Sequence, residues 1–470
     1  MSASPVRAVA PAWLEVPDDA NDLAGAVWPA SAERGADDVL HIAGVSALAL
    51  QERFGTPLYV IDEDEVRVRA RRMRDAFRGA ARRHGGDARV YYAGKAFLST
   101  EVARWVTDEG LNLDVASPGE LAVALAAGIE PARLGYHGNN KSTAALAHAV
   151  ELGIGTIIVD SLDEIERLAR VTAGRDAAQN VLVRVNTGIH AETHDFLATA
   201  HEDQKFGFSP DGARDAVRRI RETAGLRLAG LHCHIGSQIF GSAGFAASAE
   251  RLVALHAELS AGGALDVLNL GGGFGIAYTR VQEPAVIEEL ADAIVDAVAA
   301  ACERHGVPLP LLAFEPGRAI VGPAGVTLYE VGTVKPVALD GGAVRTYVSV
   351  DGGMSDNARP ALYGADYSAR LASRAGRGEP ALVRVVGSHC ESGDIVVEAE
   401  YLPGDVAPGD VLAVPATGAY CFSLASNYNY APRPAVVAVR EGQARIIVRG
   451  ETVDDLLSRD VGAAPEKGDQ

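Results

Sequence analysis

The stretch VYYAGKAFLS at Val90–Ser99 places a single lysine, Lys95, at the end of a strand. The residues before Lys95 are β-branched and aromatic, which is typical of a strand, and the segment from Ser99 to Gly110 has the periodicity of an amphipathic helix. Lys95 therefore lies at a predicted strand-to-helix junction, which in an α/β barrel is the catalytic rim. An apolar, partly desolvated strand end disfavours the ammonium form of a lysine, and a neutral amine can form a Schiff base. A lone lysine that closes a strand is more often an ordinary surface residue, so the rest of the chain has to decide its role.

Length and composition predict a globular protein of two domains. The chain has 470 residues, which exceeds one ordinary compact core, and 48% of them are hydrophobic. A formal net charge of -19 argues against nucleic-acid or membrane partners, because both need a basic surface. The four cysteines have no CxxC spacing, so we expect neither a disulfide framework nor a bound metal. The chain start lacks an apolar signal segment and no run of 18 apolar residues occurs, so we expect a cytoplasmic protein.

Short apolar runs alternate with helical stretches through most of the chain. This alternation is typical of an α/β fold in which parallel strands close into a (β/α)8, TIM-like barrel. Nine runs fit, one more than the barrel needs, so one of them either is not a strand or lies outside the barrel. The runs are residues 57–61, 89–93, 111–115, 133–136, 155–160, 181–186, 229–233, 266–270 and 311–315.

After about residue 325 the pattern changes to strands separated by Gly, Pro and Asp turns. This pattern predicts a C-terminal antiparallel β-barrel or sandwich domain. We therefore predict an N-terminal arm over residues 1–50 that packs on the C-terminal domain, a barrel over 51–325 and a β domain over 326–470. The predicted strands of the β domain are residues 326–331, 345–350, 381–386, 395–399, 411–414 and 435–439.

Polar and glycine-rich segments follow several of the barrel strands. Because the carboxyl ends of barrel strands share one rim, these segments define one mouth. Gly271–Gly273 have no side chains to block an approach, so their amides can cradle an anion such as a phosphate, although glycine triplets are also common in ordinary turns. The segments are LDVASPGE (Leu113–Glu120), HCHIGSQ (His232–Gln238), NLGGGFG (Asn269–Gly275) and FEPGR (Phe314–Arg318).

Two histidines belong to one of these segments. We expect His232 and His234 to point to opposite faces of their strand, which makes a metal site shared by both improbable and leaves one of them facing the mouth. Either could equally be a hydrogen-bonded core histidine. A lysine amine, phosphate-binding glycines, a flat histidine and a carboxylate at one mouth suit pyridoxal phosphate, which supplies an electron sink while the protein supplies orientation and charge.

Five motifs resemble those of a known family. YAGKA (Tyr92–Ala96), HIGSQ (His234–Gln238), GGG (Gly271–Gly273), EPGR (Glu315–Arg318) and CESGD (Cys390–Asp394) are similar to motifs of the diaminopimelate decarboxylases, which belong to the alanine-racemase-like fold type III group. They occur in the family's order and span about residues 50–440. The resemblance implies pyridoxal 5'-phosphate as the cofactor and a homodimer whose active sites are shared across the interface. It also implies decarboxylation of meso-2,6-diaminopimelate at its D-centre to L-lysine and carbon dioxide.

The resemblance implies roles for residues at matching positions. Lys95 matches the Schiff-base lysine, and His234 matches the imidazole that stacks on the cofactor ring. Glu315 matches the carboxylate that keeps the pyridine nitrogen protonated; related racemases place an arginine there, so Glu315 favours decarboxylation. Cys390 matches the proton donor that reaches the cofactor of the other subunit. The further cofactor contacts implied are Asp114, Ser237, Gly271, Gly272, Gly273, Pro316, Gly317, Arg318 and Tyr420, and the substrate contacts are Arg318, Arg359, Tyr363, Glu391 and Tyr420, which places substrate and interface residues in the β domain.

The identity of the substrate depends on two of these positions. The far end of diaminopimelate carries both a carboxylate and an ammonium, which Arg359 and Glu391 suit. Ornithine-type relatives instead carry an aspartate directly after the cysteine. The alternatives are a related decarboxylase acting on ornithine, lysine, arginine or carboxynorspermidine, a racemase, and a non-catalytic pyridoxal-phosphate-binding protein. The sequence departs from the family at Ala358, where many members have proline, and in the arm before about residue 40.

Overall fold

The computed structural model describes residues 10–23, 25–189, 205–339 and 342–463. The chain divides into two compact units, which we call the barrel unit and the β unit. The barrel unit comprises Val66–Ile276 and Pro284–Ile320. The β unit comprises the residues up to Glu65, Ala277–Glu283 and the residues from Val321 onward. Within the described ranges, no helix combines the length and the apolar character needed to cross a bilayer.

Eight parallel strands close into a barrel in the described part of the barrel unit, which confirms the predicted (β/α)8 architecture. Their central Val, Ile and Leu residues are buried because the strands have a packed interior on one side and helices on the other. The first and last strands pair with each other and close the ring. The strands are Ala88–Ala93, Asn112–Val115, Leu134–Tyr136, Thr156–Val159, Gln179–Arg184, Leu226–His232, Val267–Asn269 and Leu311–Phe314.

Serine residues start several of the helices that follow these strands. Ser99 accepts a hydrogen bond from the Val102 amide at 3.2 Å, and Ser117 accepts one from the Glu120 amide at 3.1 Å. Such caps satisfy an amide that a helix start leaves unpaired, so they fix where the rim loops end. The helices are Glu63–Arg83, which begins in the β unit, Thr100–Asp108, Pro118–Ala126, Thr143–Leu152, Leu162–Thr172, Pro210–Arg221, Ala243–Ser260, Ile287–His305 and Arg318–Val321, with 3-10 turns at Gly94–Ala96 and Pro131–Arg133.

The ninth predicted strand lies outside the barrel. Leu58–Asp62 is an inner strand of the β unit, where it pairs antiparallel with Gly325–Ala338 and parallel with Ala435–Arg440. All five of its residues are buried. A strand covered on both faces has the same apolar pattern in a barrel and in a packed sheet, which is why the sequence could not separate the two.

The β unit is built on a mostly antiparallel sheet of nine strands in its described residues, which confirms the predicted β domain. One half of Gly325–Ala338 pairs with Leu58–Asp62 and Val411–Pro415, and the other half pairs with Val344–Val350. Two pairings are parallel, so the sheet is mixed rather than purely antiparallel. The sheet order is Ile395–Pro403, Pro380–Val386, Val344–Val350, Gly325–Ala338, Leu58–Asp62, Ala435–Arg440 and Gln443–Val448, with Val411–Pro415 and Arg370–Leu371 beside it, and the helices are Ala47–Phe54, Arg359–Tyr363 and Val453–Leu457.

The described N-terminal residues belong to the β unit. Leu14 packs against Leu382 and Tyr401 of the sheet in one apolar cluster. The functional division of the chain into an arm, a cofactor domain and a substrate domain stays a prediction. The short strands of this segment are Glu33–Arg34, Leu40–Ile42 and Val45–Ser46.

Phe77 on the helix Glu63–Arg83 stacks on Phe314 with ring centroids 3.7 Å apart, and both side chains are fully buried. We predict that Phe77→Ala lowers the free energy of unfolding by about 3–5 kcal/mol, because it removes a buried ring and leaves a cavity. Val68→Ala on the same helix is the control, since Val68 is 44% exposed, and it should change the same quantity by no more than about 0.5 kcal/mol. Denaturant unfolding followed by tryptophan fluorescence measures both. Similar effects of the two substitutions would contradict the packing described.

Candidate active site

Lys95 and Glu315 lie on adjacent loops at one rim of the barrel. Lys95 is in the 3-10 turn that follows the first barrel strand, and Glu315 directly follows the last one. The Ala93 amide donates to the Pro316 carbonyl at 3.0 Å and joins the two loops. Gly317 packs closely in the same place, because a Cβ there would lie 2.9 Å from the Ala93 carbonyl oxygen. The two residues that are central to the sequence analysis therefore share one rim.

The Lys95 side chain is exposed, which corrects the expectation of a partly desolvated lysine. The strand end faces the open mouth, so a long side chain there reaches solvent. The ammonium group still acts on buried neighbours. Burial is the main cause that raises the pKa of Asp114 and lowers the pKa of His234, and the charge of Lys95 opposes the first shift and adds to the second.

Glu315 is the centre of a polar cluster. Its Oε1 accepts a hydrogen bond from Asn269 Nδ2 at 2.7 Å and lies 3.1 Å from His232 Nε2 and 3.4 Å from His137 Nε2. Burial alone would raise the pKa of Glu315, but interactions with His137, His232 and His234 outweigh it and hold the pKa below its usual value. The carboxylate is therefore ionised although its side chain is largely buried.

His137 is the residue that the sequence analysis missed. It directly follows the strand Leu134–Tyr136, and its Nε2 lies 3.3 Å from Asp114 Oδ1 as well as near Glu315. Burial lowers the pKa of His137 to about 4, so the imidazole is neutral at physiological pH. The other rim residues were predicted because they directly follow predicted strands. His137 directly follows the predicted strand 133–136, so the same rule could have found it.

The pKa of Asp114 is shifted in the opposite direction from that of Glu315. Burial, and after it the charge of Glu315, raises the pKa of Asp114 well above its usual value. Its Oδ2 is buried and has no hydrogen-bond partner among the residues described. A raised pKa favours the neutral form of Asp114 beside the carboxylate of Glu315.

The expectation that His232 and His234 face opposite sides is wrong. His232 Nε2 contacts Glu315, and the charge of Glu315 also opposes the burial that lowers the pKa of His234. Residues two apart on a strand share one face. The intervening Cys233 points away, with its Sγ 3.5 Å from Ser248 Oγ, and burial raises its pKa to about 12.

The triplet Gly271–Gly273 folds tightly against neighbouring loops. A Cβ at its second residue would collide with the carbonyl of Glu315, and one at its third would collide with the carbonyl of Gly236. The amide of the second residue donates to His234 Nδ1 at 3.3 Å. His234 therefore keeps its proton on Nε2 and presents a neutral, flat ring.

These features fit a flat, anionic cofactor. Beside the glycine triplet, Arg318 donates to Ser237 Oγ at 2.8 Å, which places a cation and a hydroxyl near amides that no side chain can cover. The unpartnered Oδ2 of Asp114 is a second polar group that a ligand could satisfy.

Three atoms of the cluster also have the spacing of a metal-ligand set. The ligand atoms of His137, His232 and Glu315 all lie within 4.8 Å of one another. Asn269 donates to the same oxygen of Glu315. Because Asn269 already donates to this oxygen, we interpret the cluster as a polar set around one acceptor, and the expectation of no metal stays a prediction.

The predicted substrate residues of the β unit differ in exposure. The buried Arg359 guanidinium lies 4.4 Å from the Tyr278 ring centroid and donates to Tyr367 Oη at 2.6 Å. Tyr363, on the same short helix, is 69% exposed. Tyr420 has a φ of 63°, a backbone conformation that side chains rarely adopt and that is frequent at functional sites.

The loop with Cys390 and Glu391 is exposed but fixed at its base. The buried Asp394 carboxylate accepts hydrogen bonds from the Met354 amide at 2.6 Å and the His389 amide at 2.7 Å. Among the four free cysteines, Cys390 is exposed and the other three are buried. The Cys390 thiol is therefore accessible on a loop whose base is hydrogen-bonded.

The predicted residues thus divide between the units, and their catalytic and binding roles stay predictions. The barrel rim collects Lys95, Asp114, His234, Ser237, Gly271, Gly272, Gly273, Glu315, Pro316, Gly317 and Arg318, and the β unit contains Arg359, Tyr363, Cys390, Glu391 and Tyr420.

Comparisons with known proteins identify the family of the chain. Residues 63–322 match the family described as "Pyridoxal-dependent decarboxylase, pyridoxal binding domain". The diaminopimelate decarboxylase of Mycobacterium leprae is 51% identical over 459 residues, which cover 96% of this chain and 96% of the relative. The chain belongs to the diaminopimelate decarboxylases. The family member from Bacillus subtilis is 45% identical over 426 residues, which cover 90% of this chain and 95% of the relative.

Solved structures of the family share the fold. Diaminopimelate decarboxylase from M. jannaschii in complex with L-lysine is similar with a TM-score of 0.85 at 31% identity, covering 93% of this chain and 98% of the other. A lysine/ornithine decarboxylase from Vibrio vulnificus has a TM-score of 0.70 at 24% identity, which shows a common fold alone. The cofactor of this chain is pyridoxal phosphate, and the matched residues 63–322 include the barrel rim described above.

We predict that Gly272→Ala weakens binding of pyridoxal phosphate to the apoprotein, because the new Cβ collides with the Glu315 carbonyl and displaces the amides of the triplet. The dissociation constant should rise about 10- to 100-fold, which is the loss of one charge-assisted hydrogen bond. Gly241→Ala is the matched control, since nothing lies within 4 Å of a Cβ at that position. Fluorescence titration of the apoproteins measures both constants, and an unchanged value for Gly272→Ala would refute the cradle.

Proposed function

We propose that the protein decarboxylates meso-2,6-diaminopimelate at its D-centre and releases L-lysine and carbon dioxide, the last step of lysine biosynthesis. The observation that carries the proposal is the ionised, largely buried Glu315 at the same rim as Lys95. A carboxylate at this position keeps a pyridine nitrogen protonated, which strengthens the electron sink that decarboxylation needs. The relatives above, at 45–51% identity over nearly the whole chain, support the same reaction.

Different residues of the barrel rim would hold different parts of the cofactor. Bound pyridoxal phosphate supplies a sink for the electron pair left when carbon dioxide departs. Lys95 would hold the cofactor through its amine at the aldehyde, where the substrate amine would take its place, and the neutral His234 ring would lie against the pyridine face. Gly271–Gly273, Ser237 and Arg318 bind the phosphate group through amide, hydroxyl and guanidinium donors.

The β unit selects the substrate. The far end of diaminopimelate needs a guanidinium for its carboxylate and an acid for its ammonium, and Arg359 and Glu391 supply these groups. Tyr278 and Tyr367 hold the Arg359 guanidinium in one orientation. A fixed guanidinium loses less freedom on binding a carboxylate, which favours this substrate over one that ends in a plain amine.

We infer that the active form is a homodimer in the cytoplasm, with the Cys390 thiol of one subunit delivering the proton at the cofactor of the other. The thiol is exposed, as a group that acts on a partner subunit must be. Leu362, Tyr363 and Tyr430 are large side chains that are 60%, 69% and 67% exposed, and a second subunit would cover such surface. Four free thiols suit a reducing compartment.

The substrate is tested by carbon dioxide release from a panel of amino acids. We expect the protein with pyridoxal phosphate to convert meso-diaminopimelate to L-lysine, with kcat/KM at least about 10³-fold lower for ornithine, lysine, arginine and carboxynorspermidine, because these lack the distal carboxylate. Faster turnover of any of them would reassign the substrate. Loss of optical activity without gas evolution would indicate a racemase, and no turnover at all would indicate a non-catalytic binding protein.

The shared active site is tested by complementation. Lys95→Ala should abolish both activity and the visible absorbance of the lysine-linked cofactor, and Cys390→Ala should lower kcat by about 10²- to 10⁴-fold as a lost proton donor. Coexpressed, the two variants should regain about a quarter of the wild-type activity, because each hybrid dimer has one intact site.

The matched control is coexpression of Lys95→Ala with Glu315→Gln. Both changes affect the barrel rim, so each site of a hybrid dimer keeps one defect and no activity returns. Recovery in the control, or none in the first pair, would argue against a site built from two chains.

A further inference from the structure

The Glu315 carboxylate is held through one of its two oxygens. Oε1 accepts from Asn269 Nδ2 at 2.7 Å and faces the Nε2 atoms of His232 at 3.1 Å and His137 at 3.4 Å. In the parts of the chain that the structure describes, every polar contact of this side chain is made to Oε1. The carboxylate is thus anchored at one oxygen and presents the other, Oε2.

The anchors come from both sides of the strand that precedes Glu315. Asn269 ends the neighbouring strand, and His232 is paired with it in register on the next one. His137 follows a strand three places away in the other direction round the barrel. Contacts from both directions fix the orientation of the carboxylate and not only its distance from the barrel wall.

Each of the two imidazoles has one N–H to offer, and Nε2 of His137 faces Asp114 Oδ1 at 3.3 Å as well as Glu315 Oε1 at 3.4 Å. Burial is the main cause that lowers the pKa of His232 and of His137, so both imidazoles are neutral and each has one N–H. Neither ring nitrogen of His232 has a partner of standard hydrogen-bond geometry among the described residues, but Nε2 lies 3.1 Å from Glu315 Oε1 and can direct a proton toward it. Burial, and after it the charge of Glu315, raises the pKa of the neighbouring Asp114 and so favours its neutral form.

We propose that His137 and His232 are positioning residues that hold Glu315 by Oε1 and aim Oε2 at the ring nitrogen of the bound cofactor. The inference deepens the proposed function and rests on its assignment of Glu315. It adds two residues that touch neither the reacting atoms nor the phosphate and that act through the carboxylate alone. Without them the carboxylate can rotate, and the ring nitrogen loses a fixed partner.

The experiment uses cofactor labelled with ¹⁵N in the ring and the variants His137→Leu and His232→Leu. The ¹⁵N chemical shift of the bound cofactor reports whether its nitrogen carries a proton, which is a readout independent of turnover. We expect both variants to move this shift toward the unprotonated value. We also expect kcat to fall about 10- to 100-fold, the size found when partners that orient a ligating group are removed, with a smaller change in KM. His137→Gln and His232→Gln keep an N–H donor and should restore part of the shift and of kcat.

His256→Leu is the matched control. His256 is also a buried histidine of the barrel unit whose pKa is lowered by burial, but it lies on the helix Ala243–Ser260. It measures the effect of losing a buried imidazole as such and should leave the ¹⁵N shift unchanged. Melting temperatures of all variants identify any that do not fold. If a Leu variant does not fold, the Gln variant at the same position tests the proposal.

Two outcomes would overturn the proposal. The first is a wild-type ¹⁵N shift in folded variants of His137 and His232. The second is stoichiometric binding of Zn²⁺ to the wild-type apoprotein that both Leu variants lose, since the cluster would then be a metal site. Failure of the proposed function is distinct, because it would appear as missing visible absorbance of the cofactor in the wild-type protein.

Discussion

Closure of the barrel is the constraint on which the site depends. Ala88–Ala93 and Leu311–Phe314 are the first and last strands of the ring, and they pair along the seam. In an open sheet of eight strands these two would lie about 34 Å apart, at seven spacings of ~4.8 Å. Because the ring closes, the loop with Lys95 and the loop with Glu315 share a hydrogen bond instead. A lysine and an acid from distant parts of the chain can therefore serve one ligand.

The second constraint is the scarcity of water around the acids of the rim. A buried carboxylate keeps its charge only if donors replace the lost hydration. Glu315 accepts a hydrogen bond from Asn269 Nδ2 and lies close to two imidazoles, whereas Asp114 Oδ2 has no partner among the described residues and burial raises the pKa of Asp114. The sequence supplies two acids of similar chemistry, and their surroundings shift their pKa values in opposite directions. The two acids can then make different contacts with the pyridine ring of the cofactor.

Much of the fold could be predicted from the sequence, because buried parallel strands leave continuous apolar runs. The pattern could not reveal the partner of a strand, so Leu58–Asp62 looked like a barrel strand, and the partly exposed strand Gln443–Val448 was missed. Motifs located the rim residues, but the exposure of Lys95 depends on loops whose shape the sequence does not disclose. The misplacement of His232 and His234 had another cause: the alternation of a strand was applied with the wrong period.

The position of Leu58–Asp62 affects how the protein is made. This five-residue strand is synthesised before the barrel, but its two neighbours in the sheet, Gly325–Ala338 and Ala435–Arg440, follow the barrel. At ~5–20 residues per second the ribosome needs on the order of half a minute to supply both. During that time the nascent chain carries an apolar strand with two unpaired edges, which is a template for aggregation. A fragment that starts at residue 51 and stops after the barrel keeps this orphan edge permanently, whereas one that starts at residue 66 does not.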